Sequence, residues 1–138
     1  MAANDVSITA ASVLKGSGAT TVLGTAGASI TAGQALYIDT ANGSVLKLAD
    51  GNGTTLTATF AGFALHAALT GQPVDYLSAG PITIGGTLVA GKFYILSDTA
   101  GAITLVSDYT TGFIPCLVGW ASSTTVLQVV PIATGVTL

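Results

Sequence analysis

Catalysis and metal binding need nucleophiles, acids, bases or ligands gathered at one place. This sequence supplies few: one histidine, one cysteine, six aspartates and three lysines, with no glutamate and no arginine. His66 lies in FAGFALHAAL, where strand alternation sets Ala61, Phe63, Leu65, Ala67 and Leu69 on one face and His66 with Gly62, Ala64 and Ala68 on the other. No second histidine and no glutamate exists to complete a site, so His66 reads as a solvent-facing or interface side chain. Cys116 alternates with Ile114, Val118 and Trp120 on one face and reads as a small buried hydrophobe. A single cysteine also excludes an internal disulfide and any CxxC motif. Asp39, Asn42, Asp50 and Asn52 bracket one hairpin and its loop, and their oxygens are of the kind that holds calcium. Their spacing matches no EF-hand or repeat calcium loop, so the four read as turn formers. No serine stands in GxSxG, and no glycine cluster has phosphate-loop spacing ahead of a helix. The expectation is a protein that is not an enzyme and takes no metal or cofactor.

The elements around these residues must then carry the function as surfaces. Of 138 residues, half are hydrophobic and 7% are charged, against about 25% in an ordinary soluble domain. That length suits one compact domain, or two small halves sharing a core. Three lysines cannot line a phosphate-tracking groove, so nucleic acid is not an expected partner. The uncharged run from Tyr109 to Leu138 is broken by prolines, by Ser-Ser-Thr-Thr and by Gln128, and is no membrane-spanning helix. The opening MAANDVSITAASVLKG lacks a basic region followed by a continuous apolar stretch, so the mature chain is expected to start near Met1.

Apolar runs of four to eight residues, rich in Val, Ile, Leu, Thr, Tyr and Phe and cut by Gly, Asn, Asp and Pro, predict many short strands. They fall at 34–39, 44–48, 55–69, 74–77, 82–84, 92–97, 102–106, 114–121 and 125–130. Thr40-Ala41-Asn42-Gly43 and Asp98-Thr99-Ala100-Gly101 should each close a hairpin. AGQALYIDTANGSVLKLAD (32–50) aligns without gaps on AGKFYILSDTAGAITLVSD (90–108), and Ala61-Gly62-Phe63-Ala64 on Val118-Gly119-Trp120-Ala121. This predicts a duplicated unit of just under sixty residues, with half-repeats at about 31–88 and 89–138. Residues 1–30, dominated by Ala, Ser, Thr and Gly, read as an extended arm able to lie across a neighbouring subunit through Val6, Ile8, Val13 and Leu14, or as a leader and a plain first strand. The expected fold is all-β: a compact sandwich or barrel of short antiparallel strands with an N-terminal arm.

Nine charges cover little surface, so broad neutral areas must face outward or meet another chain, and self-association is the economical expectation. The segments TAGQALYIDTANGSVLKLADG, FAGFALHAALTGQPVDYLSAGPITIGG, VAGKFYILSDTAGAITLV and CLVGWASSTTVLQVVP, across about 30–132, resemble small virion proteins of tailed bacteriophages, especially capsid decoration (cement) proteins. The resemblance rests on the AG-x-x-x-Y strand opening and the G-x-A strand at Gly62-Phe63-Ala64 and Gly119-Trp120-Ala121. It implies a β-rich subunit, commonly a trimer, assembled in the bacterial cytoplasm and bound outside the shell, where it clamps major capsid subunits by multivalent contacts. Tyr76, Tyr109, Phe113 and Trp120 are the aromatic candidates for such contacts beside the arm residues, although Trp120 fits a core position equally well. The alternatives are a head-fibre or tail-fibre base module, or a carbohydrate-binding adhesin domain, for which Tyr37 beside Asp39 is a faint match.

Overall fold

The computed structural model describes residues 5–134. As the short runs predict, the chain is all-β, with ten strands, three one-turn 3-10 segments and no α-helix among the described residues. The strands are β1 (Leu14–Lys15), β2 (Thr20–Thr25), β3 (Ala35–Asp39), β4 (Val45–Leu48), β5 (Gly62–Ala64), β6 (Pro73–Thr83), β7 (Phe93–Leu96), β8 (Ile103–Leu105), β9 (Cys116–Ala121) and β10 (Val126–Ala133). They form one curled antiparallel sheet of order β4-β3-β5-β6-β10-β9-β7-β8, with β1 and β2 also paired to the long strand β6.

Strand β6 is shared by two sets of strands within that sheet. Residues 73–79 pair with β2 and β5, and residues 80–83 pair with β10 and β1. The order β2-β6-β5-β3-β4 in the first half is therefore matched by β6-β10-β9-β7-β8 in the second. Residues 78–83, 58 positions after β2, are the end of β6 that opens the second set. Loop bonds match as well: Gly33 N donates to Ala64 O at 2.8 Å and Gly91 N to Ala121 O at 2.7 Å, while Ile30 N to Ala68 O and Leu88 N to Thr124 O are both 2.8 Å. Gly33 and Gly91 share φ values of 87° and 80°, and Gly43 and Gly101 both sit at 83°. The matched unit thus begins at β2, inside the stretch that composition alone assigned to the arm. Thr20–Thr25 is a paired strand with mostly exposed side chains, which is why its low apolar content hides it.

The first set of strands curls until its ends touch: Ala26 bridges Leu46, and Gly27 N donates to Leu46 O at 2.8 Å. Leu36, Leu46, Ala64, Val74, Tyr76, Ala26 and Ile30 fill the space inside. In the second set the arm takes the corresponding gap. Val6 N donates to Ile103 O at 3.0 Å on one side, and Thr9 N to Gly85 O at 2.7 Å on the other. Val13 is buried in the main core and Val6 and Ile8 pack on its rim. Two amides of the arm are thereby paired with carbonyls of its own chain.

The main core joins the halves. Ala35, Tyr37, Phe60, Phe63 and Leu77 from the first half pack with Ile84, Leu88, Tyr94, Leu96, Ile103, Val118 and Leu127 from the second. The Phe60 and Phe63 rings meet edge to face, centroids 4.9 Å apart. Backbone bonds from Ala35 N to Gly101 O (2.9 Å), Gly101 N to Ala49 O (2.8 Å) and Gly51 N to Ser97 O (2.7 Å) tie the two outer hairpins together.

Residues 55–69, read from sequence as one strand, hold only the three-residue β5. Threonine hydroxyls divert the rest: Thr57 N donates to Thr54 Oγ1, Thr54 N to Thr57 Oγ1, and Thr59 Oγ1 to the Thr55 carbonyl, closing turns in place of a ladder.

Candidate interaction surface

The groups with chemical potential do not converge. Among the described residues no cluster of three or more His, Cys, Asp or Glu side chains could hold a metal. Asp39 is buried and serves its hairpin: its Oδ2 accepts from Asn42 Nδ2 and from Lys47 Nζ, each at 2.8 Å. The Lys47 and Asn42 hydrogen bonds hold its carboxyl below the usual range, and the hydrogen bond to Asp39 raises the Lys47 ammonium. Asp50 accepts from Asn52 N at 3.1 Å in its own loop, another turn role. His66 is exposed, with Nδ1 3.0 Å from Ala67 O and Nε2 accepting from Asp75 N at 3.1 Å. Cys116 is buried, which pushes its thiol up and away from reactivity. A shallow hollow of about 410 Å³ beside the arm is lined by Asp5, Val6, Ser7, Thr87, Val89 and Tyr94, and Asp5, the one carboxylate in that lining, accepts from the Ser97 hydroxyl.

The candidate contact residues separate into buried, partly covered and exposed side chains. Val13, Tyr76 and Phe113 are buried in their own chain and present almost no surface to a partner. Val6 and Ile8 are partly covered against the main core, and Leu14 is exposed. Tyr109 packs edge to face on Phe113, centroids 6.1 Å apart, and its hydroxyl is buried without a hydrogen-bond partner. Burial, with a smaller contribution from nearby Cys116, pushes that phenol up to about 12.

Trp120, which the sequence left as either a contact or a core residue, stands outside. Strict alternation from Cys116 and Val118 would place it inside, yet it is 40% exposed. The register of β7 on β9 slips between Tyr94 and Ile95, pairing them with Gly119 and Leu117 and leaving Val118 as the extra residue of a bulge. The bulge moves both Val118 and Gly119 to the buried side and turns Trp120 outward. There it stands opposite Phe93, which is 48% exposed, and opposite Gln128, itself opposite Pro81. This row across β7, β9, β10 and β6 carries no charge, and the far half of β10 adds exposed Val130 and Ile132. Sequence reading passed over Phe93, although the 58-residue offset already set it against Ala35, a small residue in the first half.

The two rings leave on the order of 200 Å² of aromatic surface in water, equivalent to about 5 kcal/mol if wholly covered. Association costs about 4–15 kcal/mol, so the rings can anchor a contact only within a wider patch. Further large apolar side chains are exposed at Val22, Leu23, Leu69 and Val89. No helix among the described residues is long and apolar enough to cross a membrane. No family model matches the chain, and no curated protein matches it.

Proposed function

We propose that this chain is a structural virion protein that decorates and stabilises the outside of a tailed-bacteriophage capsid, associating as a homo-oligomer, a trimer in the simplest form, and bridging neighbouring major capsid subunits. The observation that carries this reading is the exposure of large apolar side chains on several separate elements of a charge-poor β domain: Phe93, Trp120 and Ile132 in the second set of strands, and Leu14, Leu23 and Leu69 outside it. A bridging subunit needs more than one adhesive patch, because each modest contact then raises the effective concentration for the next. Low charge supports the same role, since few ions must be desolvated at each contact. The resemblance of 30–132 to decoration proteins supplies the identity of the shell.

The experiment is to add purified protein to undecorated shells and to follow co-sedimentation and the temperature at which the shells rupture. Saturable binding with a raised rupture temperature is the expected result. Absence of binding to shells that bind a known decoration protein would overturn the reading and return the choice to a fibre base or an adhesin, which glycan binding separates.

A further inference from the structure

The two sets of strands are matched, but their faces are not equally covered. In the first, Ala35 on β3 stands opposite Phe63 on β5, and both are wholly buried because the second set packs over them. The corresponding pair in the second set is Phe93 on β7 opposite Trp120 on β9. It has no third set to cover it, and both rings face solvent. At the open position the sequence places the larger residue of each pair, Phe for Ala and Trp for Phe, enlarging the apolar surface left in water.

We propose that the face of the second set of strands centred on Phe93 and Trp120 is covered by a second copy of this chain. The occupant follows from the fold's own contact. Inside the molecule, the equivalent face is sealed by another part of the same chain, a neutral apolar β surface. A second copy supplies that chemistry, whereas a charged partner would lose hydration against Phe93, Trp120, Gln128 and Pro81 without finding an ion to pair with. Aromatic residues in a neutral patch are also the side chains that most often anchor protein interfaces. The inference rests on the self-association in the proposed function and is independent of the phage shell.

Trp120 is the single tryptophan, so its fluorescence reports on this face alone. The wild-type protein is diluted over several decades of concentration while its mass is read by light scattering and Trp120 by emission maximum and acrylamide quenching. The expected result is that mass and shielding of Trp120 fall together, and that Phe93→Asp weakens association by at least about 30-fold while leaving the far-UV spectrum unchanged. Thr70→Asp, at an exposed turn residue of the first half that belongs to none of the apolar patches, leaves both curves in place. An oligomer in which Trp120 stays freely quenched would overturn the assignment of the face while leaving self-association standing. A monomer whose Trp120 becomes shielded only on added shells would overturn it as well, giving the face to the capsid protein. Equal loss of association in Phe93→Asp and Thr70→Asp would refute it too, showing a general effect of added charge.

Discussion

Phe63 and Phe93 offer a controlled comparison, because truncation removes the same ring from a sealed face and from its open counterpart. Phe63 is fully buried between the two halves and meets Phe60 edge to face. Phe63→Ala deletes that contact and leaves a cavity the surrounding strands cannot collapse, a loss of about 3–5 kcal/mol. At about 4 °C per kcal/mol for a chain of this size, the melting temperature falls by roughly 12–20 °C. Phe93 is 48% exposed, so Phe93→Ala opens no cavity and loses only the buried half of the ring, about 1–2 kcal/mol. Urea unfolding followed by far-UV circular dichroism at several protein concentrations separates the two. The Phe63→Ala loss should be the same at every concentration, whereas Phe93→Ala should lose additional stability only where the wild type associates. Equal losses for both variants at the lowest concentration, or a Phe63→Ala loss under about 1 kcal/mol, would show that the halves do not share the core as described.

Other expectations concern the hairpin ion pair, the buried phenol and the arm. Asp39 titrates below its ordinary 3.8 because Lys47, and then Asn42, hydrogen-bond its carboxylate. A lowered folded value means that the stabilisation is fully present above about 3.8 and is lost as pH falls through the lower folded value. Lys47→Met should therefore lower the midpoint of urea unfolding at neutral pH and flatten its acid limb. Tyr109 has the opposite sign: burial raises its phenol from 10.0 to about 12, so the stability it contributes is intact below pH 10 and is lost as pH rises towards 12. Ultraviolet phenolate titration should show a late-ionising tyrosine that Tyr109→Phe removes. Deleting residues 1–9 removes the Val6 to Ile103 and Thr9 to Gly85 bonds and the packing of Val6 and Ile8. That variant should melt several degrees lower, and exchange of the Tyr94 amide beside β8 should accelerate, both checked by hydrogen exchange and a thermal scan.

The hairpins were legible because their determinants are local. Asp39, Asn42 and Gly43 sit within one turn, where the aspartate accepts from the asparagine and Gly43 takes the left-handed conformation at φ 83°. The 58-residue offset was legible for the same reason, since Gly33 with Gly91 and Gly43 with Gly101 all take the left-handed region at matching positions. Strand β2 was hidden because it lies at an edge with little to bury, so Thr20–Thr25 lacks the apolar alternation that a half-buried strand displays. The long strand read at 55–69 failed where hydroxyl groups captured backbone partners, a competition that apolar patterning does not register.

The sequence by itself determined an all-β chain of short strands, the turns of its two outer hairpins, and a composition sparse in acids, bases and ligands. Those properties follow from residue type and near-neighbour spacing. Tertiary structure decided which surfaces are free. The bulge around Val118 turned Trp120 from the core to the outside, the sharing of β6 moved the start of the matched unit to Thr20, and packing of one half on the other buried Ala35 and Phe63 while leaving Phe93 and Trp120 uncovered. Each depends on contacts between residues far apart in the chain, where a shift of one position reverses the face a side chain occupies.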